Sequence, residues 1–225
     1  MKYLQLSLLF LLVACGQKKE AEKPVSNDTI AVKKPLMTDK SVRFHWREDQ
    51  YDSELKDTMS TVVINTDYCK NISEPEKAAL GYVATFVGSD CDWDGKATSD
   101  RSNLKCKILT ALQLGYQCSE THLGFLRTWF KEDPKTLKSL ENCPTTPFTA
   151  TSQETFDEIN LTVKTDTIKV AFKVSGVNLN RGDSWNYSEE TIFVLKSGHL
   201  FLVETNRSKV GTDRISVDDG ESNDE

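Results

Sequence analysis

The hydrophobic pattern of this 225-residue chain predicts an α+β fold: an N-terminal helical part packed on a C-terminal antiparallel sheet. Two observations carry the prediction. Between residues 73 and 130 apolar side chains recur three and four apart, the helical period. Between residues 161 and 203 they mostly alternate, the period of a strand. No internal repeat or linker interrupts this span, so a single globular domain is expected over residues 41–215.

The elements follow in order. Val42, Phe44 and Trp46 alternate with Arg43, His45 and Arg47, which suggests an opening strand. Residues 60–66, with Val62, Val63 and Ile64, read as a second strand or as the apolar end of a helix. Ser73 and Glu76 stand at capping-box spacing, and Pro75 suits a first turn. A helix therefore starts there, turns Leu80, Val83, Ala84 and Val87 inward, and stops near Gly88. A second helix is expected over 103–114, with Leu104, Ile108, Ala111 and Leu112 inside. A third runs from Ser119 to about Phe130 on Leu123, Leu126 and Phe130. Pro134 closes it, and a short polar helix follows near 137–140.

The period then changes. Leu161 and Val163 form a short alternating piece, and Thr165, Asp166 and Thr167 turn the chain. Ile168, Val170, Phe172 and Val174 alternate with Lys169, Ala171, Lys173 and Ser175, a half-buried strand. Residues 192–195 and 200–203 flank Ser197-Gly198, a two-residue hairpin turn. Phe193, Leu195, Leu200 and Leu202 share one face of that hairpin. Ile192, Val194, Phe201 and Val203 share the other. A hairpin apolar on both faces is expected to be covered on both, or to be central in its sheet. Helices first and strands later is an order loosely similar to the cone-shaped NTF2-like group. That resemblance implies helices packed on a curved sheet.

The two ends have a different character. Lys2 precedes an apolar run from Leu4 to Val13, shorter than the roughly 20 residues needed to span a bilayer. It reads as an export signal. The run ends in Leu12-Val13-Ala14-Cys15, which resembles the lipobox of bacterial lipoproteins. The resemblance implies that residues 1–14 are removed as a signal peptide. Cys15 then carries palmitate-type acyl chains and becomes the membrane anchor. Gly16 after the cysteine, in place of Asp, implies the outer membrane, on its periplasmic or its surface side. Residues 15–40 are rich in Lys, Glu and Pro and read as a disordered tether. Residues 216–225 read as an acidic disordered tail.

Composition narrows the function. Twenty-eight basic and 34 acidic residues give a net charge of −6, which supplies no attraction for nucleic acid. Setting Cys15 aside, five cysteines remain in an exported chain, where disulfides persist. Cys118 with Cys143 would staple a helical pair, and Cys91 with Cys106 would tie a loop to the following helix. Two such bonds leave one cysteine free. There is no Cys-x-x-Cys pair, and His45, His122 and His199 lack metal-site spacing. No catalytic residue is assigned.

Two stretches remain as site candidates. Asp90, Asp92 and Asp94 precede Gly95, as in the first half of a calcium loop, but the twelfth position is Arg101 instead of the usual Glu. A weak calcium site or a helix-capping loop both fit, and no other cofactor is implied. Trp185 and Tyr187 stand in a polar stretch, where aromatics serve as a ligand platform or an interface anchor, or fold back over the sheet. The expected function is a lipid-anchored envelope accessory or binding protein without catalytic activity. Its partners would be the membrane, through the anchor, and an envelope protein or small ligand. The alternatives are an envelope hydrolase using carboxylates or His199, and a structural subunit of an outer-membrane complex.

Overall fold

Two strands precede the helices and belong to the same sheet as the later ones. A computed structural model of the chain describes residues 37–54, 56–87, 104–144 and 152–214. The elements run β1 (Lys40–Asp52), β2 (Asp57–Ile64), α1 (Thr66–Asn71), α2 (Glu74–Phe86), α3 (Leu104–Ala111), α4 (Glu120–Trp129) and α5 (Pro134–Glu141). Then come β3 (Ser152–Lys164), β4 (Thr167–Asn178), β5 (Asp183–Lys196), β6 (His199–Arg207) and β7 (Gly211–Arg214). The sheet order is β2-β1-β3-β4-β5-β6, with β7 beside β5, and every pairing is antiparallel. The class is α+β. The expected order, helices first, is corrected: β1 pairs with β3 across the whole helical insertion.

A bulge in β1 explains why simple alternation misplaces its side chains. The register passes from Arg43 opposite Asn160 to His45 opposite Ile159, so Phe44 is the extra residue. Phe44 and His45 are consequently both fully buried. Trp46 is turned outward, where the Arg43 guanidinium lies 5.1 Å from its ring centroid.

Strand β4 follows its pattern closely, with Ile168, Val170, Phe172 and Val174 all buried. The turn after β5 has Ser197 at φ 53° and Gly198 at φ 83°. Two left-handed residues define the type I′ hairpin that the right-handed strand twist favours. Phe193 and Leu200 from this hairpin are fully buried. The opposite face is not covered as expected. Ile192, Val194 and Phe201 are only half-buried, and Val203 is 55% exposed. Nor is the hairpin central: β6 is an edge strand, and the helices pack on the face that carries Phe193.

The helices cover the other face. Tyr82 of α2, Phe130 after α4 and Phe193 of β5 form an aromatic cluster, with centroids 5.3 to 5.8 Å apart. Asp133 ties the same region together through hydrogen bonds. Its carboxylate accepts from the Thr136 amide (3.1 Å) and hydroxyl (2.7 Å), capping α5. It also accepts the Leu202 amide of β6 at 2.9 Å.

The N-terminus of α2 departs from the capping box. Pro75 does stand in the first turn, but the Ser73 side chain makes no cap hydrogen bond. Glu76 is fully buried and turns to Lys40 (3.0 Å) and the Tyr68 hydroxyl (2.6 Å) instead. A charged partner outweighs a backbone amide for a buried carboxylate. Helix α1 had no sequence signal, because it buries none of its residues. Among the described residues no helix is long and apolar enough to cross a membrane.

Cys118 and Cys143 form the expected disulfide. Cys106 is also disulfide-bonded, and Cys69 is free. The Cys118–Cys143 bond spans 25 residues. A loop of that size is stabilised by about 3 kcal/mol when closed. The Cys118→Ser, Cys143→Ser double variant is expected to lose about that much in urea unfolding. A loss under about 1 kcal/mol would mean that packing alone holds the α4–α5 pair. The residues read as a signal peptide (1–14), Cys15, Cys91, the stretch with Asp90, Asp92 and Asp94, and residues 216–225 lie outside the described residues. Met37, near the end of the segment read as a tether, is buried against the core.

Candidate functional site

The helix-facing side of the sheet is graded along the strands. Its register rows start at the β5–β6 turn with Val163, Ile168, Phe193 and Leu202. Next come Leu161, Val170, Thr191 and Thr205, and then Ile159, Phe172, Glu189 and Arg207. Phe156, Val174 and Tyr187 follow, and the last row is Glu154, Gly176, Trp185 and Thr212. The apolar end lies under the helices. The far end is aromatic and charged.

At that end Trp185 and Tyr187 converge on one carboxylate. The Trp185 indole N–H donates to Glu154 Oε2 and the Tyr187 hydroxyl donates to Oε1, each at 3.1 Å. Burial and the neighbouring Glu154 carboxylate raise the pKa of the Tyr187 hydroxyl, so it stays protonated as a donor. One row inward, Arg207 Nε donates to Glu189 Oε2 at 2.6 Å, and the guanidinium lies 4.4 Å from the Tyr187 ring centroid. Glu189 is 7% exposed, and its other oxygen accepts from Thr191 at 3.4 Å.

Gly176 makes room for the indole. A Cβ there would overlap the Trp185 ring. Gly176→Ala is therefore expected to push the indole off the sheet and to destabilise the fold by about 1–3 kcal/mol. The check is the near-ultraviolet circular dichroism of tryptophan together with the urea midpoint. An unchanged spectrum would contradict this seating of Trp185.

The polar stretch that holds Trp185 and Tyr187 is strand, not connection: β5 begins at Asp183. The alternation Trp185, Tyr187, Glu189, Thr191, Phe193 was visible in the sequence. Glu189 and Thr191 interrupt its apolar positions, so the apolar run by itself begins only at Ile192. Glu154, Gly176 and Arg207 had no such signal. A bulge between Phe156 and Glu158 breaks the parity of β3, so Glu154 does not fall in phase with Ile159, Leu161 and Val163.

The histidines stand elsewhere. His122 is fully buried. The Cys118 amide donates to its Nδ1 at 3.1 Å, which puts the proton on Nε2, 3.0 Å from Thr85 Oγ1. The Thr85 hydroxyl in turn donates to the Gly81 carbonyl at 2.7 Å. His45 lies between the Val63 and Phe156 carbonyls, at 3.1 and 3.0 Å. His199 begins β6 and is half-buried. The end of the sheet face thus gathers the Trp185 and Tyr187 rings, the Glu154 and Glu189 carboxylates and the Arg207 guanidinium.

A scan against protein-family models, a search of the curated proteins and a search of the solved structures each gave no match to this chain.

Proposed function

We propose that the chain is a lipid-anchored binding protein of the bacterial envelope, held at the outer membrane by Cys15 and acting without catalysis of its own. The lipobox resemblance supports the anchor. The single observation that carries the binding reading is the convergence of Trp185 and Tyr187 on Glu154, at the end of the sheet face. Helices on one face of an antiparallel sheet also support a likeness to the NTF2-like plan. The hydrolase reading draws no support from His122, whose two nitrogens are both engaged inside the core.

The test has two arms on the full chain. Radiolabelled palmitate is expected to label the wild type and not Cys15→Ala. Small molecules extracted from envelope-purified wild type are expected to include a species missing from Trp185→Ala. Unlabelled wild type would overturn the anchor, and identical extracts would overturn the platform.

A second reading, a subunit of an outer-membrane complex, is favoured by the outer strip of Ile192, Val194, Phe201 and Val203. Cross-linking from position 203 in intact cells distinguishes it.

A further inference from the structure

The Arg207–Glu189–Tyr187 group divides into a fixed receptor and an exposed filler. The receptor is buried and pinned. Tyr187 and Glu189 are each 7% exposed. The Tyr187 hydroxyl is tied to Glu154, and Glu189 Oε1 accepts from Thr191. The filler is different. The Arg207 side chain is 50% exposed and belongs to the last residue of the edge strand β6. Its guanidinium nevertheless takes both contacts that a ring face and a buried carboxylate offer to a cation. A buried carboxylate whose cation leaves must find another, so the receptor cannot stand empty without loss of stability.

We propose that Tyr187 and Glu189 form a cation subsite that Arg207 fills in the free protein. The ligand brings a guanidinium or alkylammonium group that displaces Arg207. The Trp185 face and the Glu154 carboxylate, one row beyond Tyr187, hold the rest of the ligand. The inference rests on the binding reading above and names its chemical class: an organic cation, such as an arginine- or lysine-bearing peptide or an amine. The ligand gains the contacts that Arg207 gives up, so the chain's own arginine sets the affinity threshold.

The experiment is chemical rescue with N-methylguanidinium chloride, against sodium chloride at equal concentration. Arg207→Ala is expected to melt below wild type, and millimolar N-methylguanidinium is expected to restore part of the loss. At roughly five times its dissociation constant the rise would be about 2–4 °C. The same salt should do nothing for Arg207→Ala, Glu189→Gln. It should also do nothing for Arg43→Ala, which removes the guanidinium over Trp46 on the other face of the sheet. No rise in Arg207→Ala, or an equal rise in either control, would overturn the proposal.

If Arg207→Ala does not fold, Arg207→Met, which keeps an unbranched apolar stem and leaves the subsite without its cation, decides the matter. Titration of that variant with N-methylguanidinium should shift the indole Nε1–H resonance of Trp185, and an unmoved resonance would overturn the subsite. The two readings fail separately. Failed rescue with material still lost from Trp185→Ala leaves the binding protein and removes the cation class. Rescue with identical extracts from wild type and Trp185→Ala leaves the subsite and removes the platform.

Discussion

Replacing Phe193 with alanine is expected to lower stability by about 3–5 kcal/mol, the usual cost of truncating a fully buried phenylalanine. The site has little means of collapsing. The ring is fully buried between Tyr82 of α2 (5.7 Å) and Phe130 at the end of α4 (5.8 Å), opposite Ile168 of β4 and Leu202 of β6. Two helices and three strands share that one ring, so shifting any of them into the gap would disturb the others. Urea unfolding followed by circular dichroism measures the loss. Val203→Ala supplies the contrast. Val203 is 55% exposed on the opposite face of the same hairpin, and its truncation should cost no more than about 0.5 kcal/mol. Similar losses at the two positions would mean that the hairpin faces are assigned the wrong way round.

Acidification is expected to remove about 3 kcal/mol through His122 alone. Burial is the main cause; it outweighs a hydrogen bond to the Gly81 backbone and lowers the imidazole pKa from 6.5 to about 4, with Lys105 adding to the depression. The unfolded chain takes up a proton near pH 6.5, while the folded chain refuses it until about pH 4. The unfolded state therefore binds more protons across that window. The stabilisation is complete above pH 6.5, falls as pH drops, and is spent by about pH 4. His45 is also lowered, chiefly by burial, and adds to the slope with the same sign. The measurement is the urea midpoint as a function of pH for wild type and His122→Gln. The glutamine amide can still donate to Thr85, and it does not titrate. The slope between pH 6.5 and 4 should shrink in the variant. An equal slope would place the acid sensitivity elsewhere.

How much of this was legible depended on whether a local period survived the sheet. Strand β4 was readable because its alternation is unbroken from Ile168 to Val174, and the Ser197-Gly198 turn because its residue types fit positive φ. Helix α4 was readable from Ser119, whose side chain accepts the His122 amide at 3.2 Å. Two of the failures share one cause, competition from distant partners. A bulge at Phe44, forced by pairing with β3, reversed the facing of His45 and Trp46. Glu76 abandoned Ser73 for Lys40 and Tyr68, whose proximity no spacing rule encodes. At the site, Trp185 and Tyr187 were recognisable as residue types. The carboxylates and the arginine that meet them come from β3, β5 and β6, and only the register brings them together.

Asp133 has a consequence for life in a crowd. The outer edge of a sheet is a template on which another copy can add a strand. In β6 the Leu202 amide is already held by a carboxylate that is itself locked into the cap of α5. An incoming strand would have to uncap that helix to claim a single hydrogen bond. One side chain thereby couples the integrity of a helix to resistance against edge-to-edge polymerisation.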